Sequence, residues 1–149
     1  MQRTILVKPE QKRLQEILVY IRRMLGWSAE TLGNKLGITK QNVSRIEKGI
    51  SNLTLTEYLL LRRILEDEIR LEAEDTSMLE FALKVLVDHP DKYPKEAREE
   101  ILSRIKLMTP TVLAKPEDRK AVSTTWRDIL LASGTIAAVA ILVKIIRKK

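Results

Sequence analysis

The sequence predicts an all-α protein, and three observations carry that reading. Apolar residues recur at intervals of three and four through most of the 149 residues, the spacing that lines one side of an α-helix. No run of alternating apolar and polar residues sits between turn signals, so no strand is expected. Helix-starting and helix-stopping residues punctuate the chain, with Pro9, Ser28, Thr39, Thr54, Ser77 and Pro94 at starts and Gly26, Gly49, Pro90 and Pro110 at stops.

The opening MQRTILVKP holds an apolar patch too short for a signal-peptide core and reads as an arm or short extended segment. The first long helix begins near Pro9, a favoured first-turn residue, and carries Leu14, Ile17, Leu18, Ile21 and Leu25 on one face until Gly26 ends it. Ser28 caps a second, short helix from Ala29 to Lys35, in which Leu32 and Leu36 face the core. Gly37 supplies a tight turn, Ile38 plugs the core, and Thr39 caps a third helix from Lys40 to about Lys48. Thr54 and Glu57 stand in capping-box spacing and open a fourth.

Ser77 and Glu80 form another capping-box pair, opening a helix with Leu79, Leu83, Leu86 and Val87 that Pro90 stops at His89. Pro94 starts the last helix of this pair, with Ala97, Ile101, Ile105 and Met108 on one side. Together they read as an αα-hairpin.

Charge divides the chain more sharply than periodicity does. The formal net charge is +7, yet residues 1–65 hold 12 basic against 5 acidic residues, whereas residues 66–110 hold 7 basic against 12 acidic. A basic excess confined to the first segment points to an anionic partner there, nucleic acid first and anionic lipid second. The absence of cysteine excludes disulfides and thiolate metal sites. His89 stands alone beside Pro90 and reads as a helix-end residue, so neither a metal nor another cofactor is expected. No nucleophile, base and orienting group occur together and no glycine-rich phosphate loop is present, which argues against an enzyme.

The third helix carries the informative pattern. Val43 and Ile46 share its inner side, while Gln41, Ser44, Arg45 and Lys48 fall on one stripe of the opposite side. Such a stripe suits a solvated surface helix, and equally a helix built to be inserted into a groove. Arg45 is able to pair bidentately with guanine and Gln41 with adenine, and Lys40 to donate to guanine. Lys48 would neutralise phosphate, and Ser28 with the amides opening the second helix would offer a phosphate seat.

The run IRRMLGWSAETLGNKLGITKQNVSRIEKG, Ile21 to Gly49, resembles the phage-repressor and Cro-like helix-turn-helix family, over about residues 10–66. The resemblance implies that the third helix is the recognition helix of a DNA-binding domain. Lys40, Gln41, Ser44 and Arg45 would then reach base edges or nearby phosphates in the major groove, and Lys48 and Asn52 match backbone-contacting positions; Ser28 and Asn42 are expected beside them on the phosphates. It further implies a structural ion pair between Arg22 and Glu47. Two positions depart from the family pattern: Ala29 stands where glutamine often contacts the DNA backbone or assists a base-reading side chain, so that a contact is missing, and Gly33 stands where alanine is usual. Glycine and alanine are both expected to be small enough for the crossing of the second and third helices.

From Ile129 the chain reads ILLASGTIAAVAILVKIIRKK. About 18 residues rising about 1.5 Å each span roughly 27 Å, just enough for a bilayer core. Ile129, Gly134, Ala138 and Val143 lie in this expected membrane helix, with Trp126 and the terminal Arg147, Lys148 and Lys149 as interface anchors. Gly134 and Ala138, four apart, would let two such helices approach closely. A buried or surface-lying C-terminal helix is the competing reading.

The expected organisation is a helix-turn-helix unit over residues 1–66, an interaction or dimerisation hairpin over 67–109, a linker over 110–125 and a membrane-anchoring helix over 126–149. The expected function is a sequence-specific, repressor-like regulator, homodimeric on double-stranded DNA, with a cytoplasmic head and a membrane-embedded tail. A membrane-tethered adaptor that binds protein instead of DNA, resembling RodZ, is the main rival. An antitoxin-type regulator whose acidic residues 66–110 clasp a basic partner is another.

Overall fold

The computed structural model describes residues 8–72, 76–108 and 128. Six α-helices order these residues: α1 (Pro9–Met24), α2 (Ala29–Leu36), α3 (Lys40–Glu47), α4 (Leu55–Leu71), α5 (Ser77–Ala82) and α6 (Lys95–Met108). Between α5 and α6 run a π-helical segment, Leu83–Asp88, and a 3-10 turn, Pro90–Lys92. No strand occurs among the described residues.

The first four helices form where local chemistry expects them. Pro9 occupies the first turn of α1, where its missing N–H costs no helical bond. The Ser28 Oγ accepts the Thr31 N–H at 3.0 Å, and the Thr39 Oγ1 accepts the Asn42 N–H at 3.1 Å, so α2 and α3 each start on a side-chain cap. At α4 the cap is reciprocal: the Thr54 N–H donates to Glu57 Oε1 at 2.9 Å and the Glu57 N–H to Thr54 Oγ1 at 3.1 Å. Gly37 ends α2 at φ 73°, a left-handed conformation that a side chain disfavours.

Two apolar cores hold the helices. Leu14, Leu18 and Ile21 of α1 meet Leu32 of α2, Val43 of α3 and Leu61 and Leu65 of α4 in the first. Met24, Phe81, Val85, Ala97, Ile101 and Ile105 build the second, between the end of α1, α5 with its π-helical extension, and α6. Leu79, Leu83 and Val87 belong to the first core as well, so the hairpin is packed into the same body as α1–α4. Two polar links reinforce that junction. The Arg13 Nε donates to the Val87 carbonyl at 2.9 Å, and Arg62 pairs with Asp88 at 2.9 Å. The boundary expected near Glu66 falls inside α4, which continues to Leu71.

The hairpin departs from its sequence reading in two details. Thr76, not Ser77, holds the N-cap position of α5, and its hydroxyl donates back to the Glu72 carbonyl at 2.8 Å instead of capping the helix. The helix then widens: the His89 N–H donates to the Lys84 carbonyl, five residues back, at 3.0 Å. This segment is wedged between the cores, with Leu83 and Val87 on one and Val85 on the other. Helical periodicity foresees Leu83 and Val87 but has no signature for a turn widened by one residue, and Val85 escapes it.

Gly33 corrects a further expectation. A Cβ placed there would lie 2.6 Å from the Ile38 carbonyl oxygen and 3.3 Å from the Thr39 carbonyl carbon, both backbone atoms. Glycine and alanine are therefore not interchangeable at this crossing. Gly33→Ala gains about 1 kcal/mol of helix propensity but forces the α2 to α3 turn outward, an overpacking cost of about 1–3 kcal/mol. A net loss of roughly 1 kcal/mol is expected by urea titration; an increase in stability would show that the turn yields freely.

Candidate nucleic-acid interface

Helix α3 is pinned from within and open from without. Val43 and Ile46 are 1 % and 3 % exposed, buried against α1 and α2 in the first core. On the other side Lys40, Gln41, Asn42 and Arg45 are exposed, Ser44 is half-buried, and Lys48 follows as the exposed C-cap residue. Asn42 stands in the first turn of α3, and its backbone N–H is taken by the Thr39 cap. Its exposed side chain extends the polar surface beyond the stripe of Gln41, Ser44, Arg45 and Lys48.

Ser28 holds the N-cap of α2, at the end of that helix away from the turn. Ser28 is exposed, but its hydroxyl is engaged with both the N–H and the hydroxyl of Thr31, the latter at 2.9 Å. Ala29, the first residue of α2, is half-buried. Trp27 is 6 % exposed and belongs to the core, with the Lys35 ammonium 4.8 Å from its ring centroid. That contact holds the lysine over an aromatic face.

Arg22 and Glu47 meet as a fork. The guanidinium Nε donates to Glu47 Oε2 at 2.9 Å and Nη2 to Oε1 at 3.1 Å, while Nη1 donates to the Trp27 carbonyl at 2.9 Å. The side chains are only 14 % and 10 % exposed. This ties the last residue of α3 to α1 and to the segment entering α2, so the orientation of the exposed stripe is fixed from behind.

The loop after α3 is held by residues that the sequence reading did not single out. The Gln15 amide donates to the carbonyls of Ile46 at 3.0 Å and Ser51 at 2.8 Å, and its oxygen accepts the Leu53 N–H at 3.0 Å. One turn earlier, buried Gln11 donates to the Leu53 carbonyl at 2.6 Å. Two glutamines four residues apart beside the Leu14 and Leu18 stripe were the available signal. Amides at that spacing supply donors and acceptors to an irregular backbone packed against a helix. Lys48 and Asn52 of the loop are exposed, and the Arg45 Nε reaches the Ser51 Oγ at 3.3 Å.

Elsewhere, burial pushes the Tyr58 phenol above its usual pKa, with Arg62 opposing the rise and Asp88 and Glu10 adding to it. It stays neutral near physiological pH. No group of metal-ligating side chains occurs among the described residues. No helix among them is long and apolar enough to cross a membrane. The expected membrane helix, with Ile129, Gly134, Ala138 and Val143, lies outside the described residues.

Two short helices joined by a glycine turn, the second presenting a polar stripe away from the core, define a helix-turn-helix domain. Residues 18–66 match the family described as "Helix-turn-helix". Among curated proteins it is 38% identical over 63 residues to "Probable transcription factor PqrA" of Proteus vulgaris, a match covering 42% of this chain and 52% of that protein. It is 27% identical over 84 residues to "Transposon Tn10 TetD protein" of Escherichia coli, covering 55% of this chain and 61% of the relative. The chain thus spans just over half the length of the curated relatives it matches. No solved structure matches it.

Proposed function

We propose that this protein is a sequence-specific DNA-binding transcriptional regulator, with α3 as its recognition helix. The observation that carries the reading is the two-sidedness of α3: Val43 and Ile46 buried, Lys40, Gln41, Asn42 and Arg45 exposed. The domain family, the relative named a transcription factor, and the basic excess of residues 1–65 support it. In this assignment Lys40, Gln41, Ser44 and Arg45 read base edges, and Ser28, Asn42, Lys48 and Asn52 hold phosphates.

The regulator acts as a homodimer on two half-sites about one helical turn apart. Leu55, Leu59 and Leu60, 41 %, 54 % and 41 % exposed on α4, offer apolar surface for a second copy. The tail beyond Trp126 anchors the cytoplasmic head to a membrane. Sedimentation of the intact chain with membranes tests that part; a chain that stays soluble without detergent contradicts it.

The DNA assignment is tested by the salt dependence of binding. Affinity for duplex DNA is expected to fall log-linearly with salt. Lys48→Ala should weaken binding to all sequences alike and reduce the slope by about one. An unchanged slope would remove Lys48 from the phosphate contacts, and no duplex binding at low salt would reject the function.

A further inference from the structure

Between α3 and α4 lies the loop that carries Lys48 and Asn52, and side chains of α1 bond its backbone and the end of α3. Gln15 makes three of these bonds, to the Ile46 and Ser51 carbonyls and the Leu53 N–H, and Gln11 makes a fourth, to the Leu53 carbonyl. Both main-chain groups of Leu53 are therefore held by glutamines on successive turns of one helix. Ser51, fixed through its carbonyl, turns its hydroxyl to the Arg45 Nε at 3.3 Å. The Ile50 and Ser51 N–H groups return to the Arg45 carbonyl at 2.9 and 3.3 Å, which closes the loop back onto α3.

A continuous chain of contacts runs from half-buried Gln15 on α1 to the exposed stripe: Gln15 amide, Ser51 main chain, Ser51 hydroxyl, Arg45 guanidinium. A long exposed arginine otherwise samples many rotamers, and ordering it on a base costs entropy that a pre-set orientation reduces. The exposed position of the pair does not make the Ser51 to Arg45 bond strong. Its effect is directional, biasing the guanidinium before DNA arrives.

From this geometry we infer that Gln15 is a positioning residue for DNA reading, acting through Ser51 on the aim of Arg45. The inference rests on the DNA assignment of α3. Gln15 itself touches no base; it sets the loop from which Ser51 orients the reader. Arg22 and Glu47 fix the helix, whereas Gln15 fixes what lies beyond its end.

The test compares the intact wild-type chain with Gln15→Leu, Ser51→Ala and the double variant. The probes are the duplex that the wild type enriches from a random pool and an unrelated duplex of equal length. Binding is measured well below each variant's melting temperature, so that a loss of stability alone leaves the ratio of the two affinities unchanged. Ser51→Ala and Gln15→Leu are each expected to lower that ratio, by up to about tenfold. The double variant is expected to lose no more than Gln15→Leu alone, because both act on one path. In Gln15→Leu, amide exchange at Leu53 should also accelerate.

A ratio unchanged in Ser51→Ala, or losses that add in the double variant, would overturn the positioning role while leaving the DNA assignment standing. Absence of any enriched duplex for the wild type would instead overturn the DNA assignment, and this inference with it.

Discussion

Glu47→Ala is expected to destabilise the protein by about 2–4 kcal/mol, somewhat below the cost of leaving one partner of a fully buried pair without the other, because this pair is only partly buried. The carboxylate receives two of the three guanidinium hydrogen bonds of Arg22, and the third, to the Trp27 carbonyl, cannot neutralise the charge. With the side chains 14 % and 10 % exposed, water replaces little of what is lost. Against a total stability of about 5–15 kcal/mol for a typical domain, that is a large fraction. Urea unfolding followed by circular dichroism measures it. Glu47→Gln, which keeps an acceptor but not the charge, should cost less. Replacing both partners by apolar residues of similar size should cost less than either single truncation, since no unpaired charge remains. A loss under 1 kcal/mol in Glu47→Ala would place the pair among solvent-screened surface contacts and would leave the first core and the Gln15 amide as the holds of α3 on α1.

Arg45→Ala is expected to have the largest effect on recognition. If its guanidinium pairs with a guanine, the alanine variant loses about 1–3 kcal/mol of discrimination at that position, roughly 5- to 150-fold. Binding to unrelated duplex should change far less, because the base contact carries the sequence information while phosphate contacts carry the common affinity. Arg45 is exposed, and its Nε contact to Ser51 leaves the terminal nitrogens of the fork for a base. Titration of enriched and unrelated duplexes at one salt concentration separates the two quantities. Equal losses on both would make Arg45 a phosphate contact and move base reading to Lys40 and Gln41.

How much of this was legible in the sequence depends on how local the determining chemistry is. The caps at Ser28, Thr39 and Thr54 are read directly, because each involves a side chain and an amide three residues apart. The two-sidedness of α3 is likewise a property of spacing alone. The Arg22 to Glu47 contact joins residues 25 apart, and only the family resemblance pointed to it. Gln15, Gln11 and Arg13 bond to main-chain groups 31 to 74 residues away, and a backbone carbonyl leaves no mark on a sequence. The consequence of Gly33 was invisible for the same reason: the atom that forbids a Cβ is the Ile38 carbonyl oxygen, brought there by the turn. The hairpin read as a separate unit because its charge reverses, yet its apolar face completes the first core through Leu79, Leu83 and Val87. Surface charge reports on partners, and burial reports on folding; at that junction the two disagree.

The central claim is that the outer side of Lys40–Glu47 reads duplex DNA. Selection of bound duplexes from a random-sequence pool by the intact chain at low salt tests it most directly. An enriched, two-fold symmetric motif with half-sites about 10 base pairs apart is expected, lost when Gln41 and Arg45 are both replaced by alanine. A pool that returns unenriched, or a motif that survives that double replacement, would contradict it.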